Sequence, residues 1–255
     1  RMHDIDLVTQ YMPGAGGGIG AEWTINHAQP TLLFTSSSLI LAQLINTNLN
    51  YNVQDIDLIG FVGQLPLVLY TNAARHSSIL SLKNHCQQNA LAYGNSGIGS
   101  MTALGGQLIM KSISCPSVSV AYRSASLALP ELIQSRLDFV VDHPSMLFKT
   151  MTQNKKIIPI LVIGKQRSPL LPDVYSSKEL GLPWNLANWH VLAANPKLSP
   201  TDKKTIQAAL STVLRQQTVQ DSLIDLGLEN INNRESQSFL WQQQNHLRNI
   251  IEDVR

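Results

Sequence analysis

The chain has 255 residues, 14% of them charged and 44% hydrophobic, and a formal net charge of +2. That charge fraction is far below the roughly 25% of ordinary globular domains, yet the apolar fraction is high enough to exclude a disordered chain. No Lys/Arg block marks a nucleic-acid surface, and the longest apolar stretch, 31–45, is broken at Thr35-Ser36-Ser37-Ser38, short of the roughly 18 residues that span a bilayer.

In chain order, short apolar or β-branched runs alternate with Gly/Ser/Asn turns and amphipathic stretches. This is the order of β-turn-α units around mostly parallel sheets, in one large α/β domain or two small lobes. Residues 5–11 are expected as a strand entering the glycine-rich run 13–21, with Glu22, Trp23 and Ile25 in a brief helix. Residues 31–34 read as a buried strand feeding Thr35-Ser36-Ser37-Ser38, after which Leu39, Ile40, Leu44 and Ile45 form the core face of a helix. Further strands are predicted within 56–70 and over 90–93, 118–122, 139–142 and 157–163. Helices are predicted over 77–84, after residue 100 with Leu104, Leu108 and Ile109 inward, and over 127–137, where Pro130 sits in the first turn or kinks it. Beyond Asn188 helices take over: Ser199-Pro200 is an N-cap followed by a first-position proline, and Gly227 is a stop. A last helix over 236–253 places Phe239, Leu240, Leu247, Ile250 and Ile251 on one face.

Two turns carry the chemistry. Gly94-Asn95-Ser96-Gly97-Ile98-Gly99-Ser100 puts backbone N–H groups and hydroxyls at a helix N-terminus, where the dipole and the open amides favour a carboxylate or phosphate. Thr35-Ser36-Ser37-Ser38 repeats that architecture with hydroxyls in place of glycines. Serine capping explains one hydroxyl in each loop, and the surplus suggests two walls of one anion site. Gly16-x-Gly18-x-x-Ala21 satisfies the dinucleotide pattern, but residues 39–50 lack the acid expected about 20 positions on, so a plain turn is the competing reading.

Enzyme readings fare worse. Ile98 stands where a nucleophile elbow needs its second glycine, and no Walker lysine follows either glycine loop. The seven histidines, His3, His27, His76, His85, His143, His190 and His246, have no metal-ligand spacing, so neither metal nor cofactor is expected. Asp142-His143, at the end of a predicted strand, reads as a cap or a ligand acceptor. Cys86 and Cys115 can pair in an oxidising compartment, and two free thiols fit the sequence equally well. Arg1-Met2-His3-Asp4 lacks the basic and apolar regions of a secretion signal, so location is not readable there.

The order of motifs Pro13-Gly14-Ala15-Gly16-Gly17, Tyr93 to Ser100, Val120-Ala121-Tyr122-Arg123, Arg167 to Val174, Glu179 to Pro183 and Asn188 to Ala194 resembles the Bug family. These are the periplasmic, TctC-like solute-binding components of tripartite tricarboxylate transporters, and the likeness runs from about Met12 to the C-terminus. The resemblance implies a type II-like, two-lobe periplasmic binding protein with an interlobe cleft and no enzymatic activity. Lobe 1 would comprise residues 1–78 and 188–255, and lobe 2 residues 79–187. The implied ligand is a small organic acid, dicarboxylate or amino acid, and the implied partner a membrane permease or a sensor kinase, served by a periplasmic monomer.

Carried over residue by residue, Thr35, Ser36 and Ser37 are the first-lobe contacts, and Asn95, Ser96, Gly97, Gly99 and Ser100 form the carboxylate loop of the second. Tyr122, Arg123, Asp142 and Ser145 stand around it. Arg123 occupies a position where the family often has Lys, and serves either as a bidentate partner of a second carboxylate or as a solvated rim charge. Two departures are expected to matter. Family members place another strand and Pro/Gly turn before the segment matching 5–11, without which the pocket opens on one side, and Ser38 replaces a common glycine. Two other readings stand beside the receptor: a ligand-free interaction module on the same fold, and a nucleotide-dependent enzyme using the glycine loop.

Overall fold

A computed structural model describes residues 7–144, 155–229 and 237–254. In chain order its elements are α1 (Gly18–Asn26), β1 (Leu32–Ser36), α2 (Ser38–Ile45), β2 (Asp57–Asn72), α3 (Ile79–Cys86), β3 (Leu91–Asn95), α4 (Met101–Ser112), β4 (Ser117–Ala121), α5 (Leu129–Ile133), β5 (Phe139–Asp142), β6 (Ile157–Ile163), β7 (Ala187–Ala194), α6 (Pro200–Leu214), α7 (Gln217–Asp225) and α8 (Gln237–Val254). The described residues form two compact units: one of 7–63, 189–222 and 237–248, the other of 64–144, 155–188, 223–229 and 249–254. The chain first passes between them after Gly63, inside β2, where the sequence placed the crossing near residue 78; it passes again after Asn188, inside β7.

In the first unit β1 pairs antiparallel with β7, Leu32 facing Ala194 and Ser36 facing His190. Alternation sends Leu33 and Thr35 to the side of the buried Val191 and Ala193, and leaves Phe34 62% exposed on the other side, so β1 is half-buried and not the buried strand expected. α2 buries Leu39, Ile40, Leu41 and Ala42, while Leu44 and Ile45 are half-covered. The core gathers three aromatics from three elements: the Phe239 ring of α8 meets Phe61 of β2 edge-on at 5.5 Å and Trp189 of β7 at 5.3 Å. The Ser199 hydroxyl accepts from the Asp202 amide and Pro200 opens α6, as the sequence predicts.

In the second unit β3 lies between β4 and β5 and is parallel to both, whereas β2 runs antiparallel to β5 and β6. The sheet is therefore mixed where β-turn-α periodicity suggested mostly parallel pairing. Tyr93 of β3 stacks on Phe139 of β5 at 5.1 Å, and Val68, Tyr70, Leu132, Leu137, Val140 and Val162 fill the core below. Asp138 anchors the start of β5: its carboxylate accepts from the Ala92 amide at 2.8 Å and pairs with Arg75 at 3.0 Å and His76 at 3.2 Å. These partners hold its pKa below the usual carboxylate value against the opposing effect of burial. Cys86 and Cys115 form a disulfide with Cα atoms 5.7 Å apart, which resolves the alternative the sequence left open.

Three further expectations change. Residues 7–11 form no strand; Leu7, Val8 and Tyr11 are exposed and no strand edge among the described residues pairs with them. The helix expected over 127–137 contracts to a 3-10 turn and the five residues of α5, with Pro130 in its first turn, and Ser135 then takes left-handed backbone at φ 57°. β7 replaces what the sequence read as the start of a purely helical quarter. Among the described residues no helix is long and apolar enough to cross a membrane.

Candidate functional site

The C-terminal ends of the parallel strands β3, β4 and β5 carry most of the candidate residues of the second unit, the edge at which open α/β sheets bind ligands. β3 delivers Asn95, 1% exposed, whose amide donates to Ser119 Oγ at 2.8 Å and accepts from Gly97 N at 2.9 Å. Asn95 thus anchors the loop and has turned its side chain inward. Gly97 and Gly99, at φ 101° and 83°, take left-handed backbone that an L side chain resists, and Ile98 between them is 96% exposed.

Ser100 N-caps α4, its hydroxyl accepting from Ala103 N at 3.1 Å and donating to the Gly97 carbonyl at 2.7 Å. Thr102, which the sequence reading missed, closes the loop. Its hydroxyl accepts from Ser96 N at 3.0 Å and bonds Ser96 Oγ at 2.7 Å and Ser100 Oγ at 3.0 Å. One proton assignment satisfies all three hydroxyls: Ser100 donates to Gly97 O, Thr102 to Ser100, and Ser96 to Thr102. Every hydroxyl proton is then spent inside the loop. What remains are the backbone amides of Ile98, Gly99, Met101 and Thr102, which have no partner among the described residues. The surplus donors inferred from sequence are present as main-chain N–H, not as serine hydroxyls. A threonine two positions past an N-cap serine is the signal that would have found this ring.

Tyr122 N donates to the Asn95 carbonyl at 2.9 Å, fixing the start of the next turn beside the loop. Arg123 is exposed and makes no ion pair among the described residues. Asp142, at the end of β5 and opposite Val68, has its pKa pushed up to about 6 by burial, an effect the His143 amide only partly offsets. His143 Nδ1 donates to the Pro66 carbonyl at 3.1 Å, leaving Nε2 to accept from Asn188 at 3.4 Å. Ser145 lies outside the described residues.

In the first unit the hydroxyl run is divided by the strand itself. Thr35 and Ser36 point to opposite faces of β1; Ser36 Oγ accepts from Ser38 N at 3.3 Å, and Ser37 is buried with its amide bonded to the Trp189 carbonyl at 2.9 Å. His190, not singled out as a contact from the sequence, stands directly across from Ser36. The glycine-rich run takes left-handed backbone at Gly14, Gly16 and Gly17 and serves as the turn into α1. Beside it an open hollow of about 420 Å³ is lined by Met12, Ile19, Trp23 and His27, where the Glu22 carboxylate is occupied by the Asn50 amide at 2.9 Å. No group of three His, Cys, Asp or Glu side chains able to hold a metal occurs among the described residues.

Comparison with known proteins gives this geometry its family. The profile of the Tripartite tricarboxylate transporter family receptor matches residues 6–255. The UPF0065 protein of the TAR-I ttuE-ttuC' intergenic region of Agrobacterium vitis is 27% identical over 87% of the chain, which spans 66% of that relative's length. Among solved structures, the periplasmic binding protein BugD superposes with a TM-score of 0.82 at 22% identity, covering 94% of this chain and 84% of its own. MatC from Rhodopseudomonas palustris with bound malate gives 0.79 at 20% identity, covering 95% and 85%. At these identities the two structures establish the α/β fold of periplasmic binding proteins. The profile match establishes more: this chain belongs to the tripartite tricarboxylate transporter receptor family, a Bug/TctC-like family of solute-binding proteins and not of enzymes.

Proposed function

We propose that the protein is an extracytoplasmic receptor that captures a small carboxylate, a C3 to C6 mono- or dicarboxylate or an amino acid, and presents it to a tripartite tricarboxylate-type permease or a sensor. The observation that carries the reading is the set of uncommitted amides of Ile98, Gly99, Met101 and Thr102 at the head of α4, in a chain of this receptor family. Main-chain donors at a helix N-terminus suit carboxylate oxygens, and Gly97 and Gly99 leave room for close approach. Malate in MatC supports the dicarboxylate class. The Cys86–Cys115 bridge supports an oxidising compartment, in keeping with a periplasmic location. In this reading Thr35 and Ser36 supply the contacts of the first unit, Tyr122 and Asp142 border the loop, Arg123 meets a second carboxylate at the rim, and the receptor works as a monomer without cofactor.

Thermal unfolding in the presence of C3 to C6 mono- and dicarboxylates tests the proposal. At least one acid raises Tm, because a ligand at a hundred times its Kd stabilises the folded state by about 2.7 kcal/mol. A flat response across the panel would sink the receptor reading and favour the interaction module.

A further inference from the structure

The parallel strands β4, β3 and β5 end side by side in the second unit, and their register sets what stands there. Val120 of β4, Gly94 of β3 and Val140 of β5 lie abreast on one side of the sheet. Two residues on, the same alternation brings Tyr122, Ser96 and Asp142 abreast on that side, neighbouring strands being about 4.8 Å apart. Ser96 N donates to the Thr102 hydroxyl at 3.0 Å, so Asp142 stands one strand away from the loop that carries the uncommitted amides of Ile98, Gly99, Met101 and Thr102.

The amides and this carboxyl are opposite in sign. Asp142 is half-buried, accepts from the His143 amide and makes no ion pair among the described residues. The elements packed around it bring no cation to it. On β2, Val68 stands opposite and Tyr70 diagonally, the tyrosine pKa being raised by burial and then by the Asp142 charge. β3 brings Tyr93, on the other side of the sheet; α5 brings Glu131, paired with Arg136 at 3.0 Å; α4 brings Lys111, in its last turn. His143 is bonded to Pro66 and Asn188, and Arg123 past the end of β4 makes no ion pair among the described residues. An ionised carboxyl so enclosed lacks a counter-charge, which is why burial pushes its pKa up to about 6. A ligand whose charges are all negative sets one more beside it, whereas a ligand with an ammonium next to its carboxylate satisfies the carboxyl and the amides together.

We infer that Asp142 is a specificity-determining residue that receives the ammonium group of an α-amino acid whose carboxylate rests on the amide loop; the inference rests on the carboxylate reading above and narrows it. Both contacts come from the second unit alone.

Calorimetric titration with three matched pairs, L-alanine and propionate, L-aspartate and succinate, L-glutamate and glutarate, tests the assignment in wild type and Asp142→Asn. In at least one pair the amino acid should bind wild type about tenfold or more tightly than its deaminated counterpart, the usual worth of a hydrogen bond between charged groups. The ionised carboxyl is the form that holds an ammonium, so this affinity should rise about tenfold between about pH 5 and pH 7.5, while that of the counterpart should not rise. Asparagine keeps an oxygen for the His143 amide and removes the charge; in Asp142→Asn the amino acid should fall to the level of its counterpart and lose its pH dependence. Tighter binding of the deaminated acid in every pair, or wild-type affinity for the amino acid in Asp142→Asn, overturns the assignment and leaves the receptor reading intact. Failure of wild type to bind any of the six acids removes both together.

Discussion

Thr102 decides what the loop has left to offer. It is 3% exposed, and its single hydroxyl ties Ser96 N, Ser96 Oγ and Ser100 Oγ into one ring. Thr102→Val leaves the buried end of that ring without acceptor or donor, with an expected stability loss of about 1–3 kcal/mol. Because the free amides share this anchor, carboxylate binding should weaken roughly tenfold as well, and Thr102→Ser should restore both. Urea unfolding with calorimetry measures the pair, and wild-type binding by the Val variant would detach the ring from the pocket. Asp142 is a second residue with a measurable signature. Its folded pKa is raised from 3.8 to about 6, so the folded chain holds a proton that the unfolded chain releases, and this group lowers stability as pH rises from about 4 through 6. Asp142→Asn removes the titration: its unfolding free energy should exceed that of wild type by at most about 3 kcal/mol at pH 7.5 and converge with it near pH 4, as read from urea midpoints.

At the scale of elements, the unit β3–loop–α4 is closed on itself by a covalent bridge. The Cys86–Cys115 bridge joins residues 29 apart in sequence. In the chain-entropy account a ring of this size contributes about 3–4 kcal/mol, so Cys86→Ala with Cys115→Ala should lower the unfolding free energy by that order, read from urea midpoints. A loss under about 1 kcal/mol would mean that the unfolded chain is already confined there. The helical elements were the most legible in the sequence. Ser199-Pro200 announces α6, and Phe239, Leu240, Leu247, Ile250 and Ile251 trace the inner face of α8, because helix signals are local. Strands depend on partners far along the chain, which explains errors in both directions. Residues 7–11 have strand composition and find no partner strand among the described residues, whereas β7 escapes the sequence pattern because Asn188 and His190 interrupt its apolar run. At the site the glycines and the helix start were readable as an anion cradle. The spending of the hydroxyl protons was not, since Thr102 meets Ser96 only once the loop has closed in three dimensions.

On the scale of the whole molecule, neither unit is a free-standing stretch of chain. Residues 237–248 of α8 belong to one and 249–254 to the other, and the helix buries Phe239, Leu240, Leu247, Ile250 and Ile251 along this length. The low charge of the chain, 14%, is matched at the head of α4 by a loop that offers backbone amides rather than Lys or Arg side chains. The disulfide carries one more consequence. Cys86 ends α3 and Cys115 precedes β4, so β3, the amide loop and α4 all lie within one covalent ring, with Ile98, 96% exposed, at the tip of the loop. A protease that nicks the chain at that tip severs the backbone and releases nothing: the fragments remain joined through sulfur, migrating as one band until a thiol separates them into two.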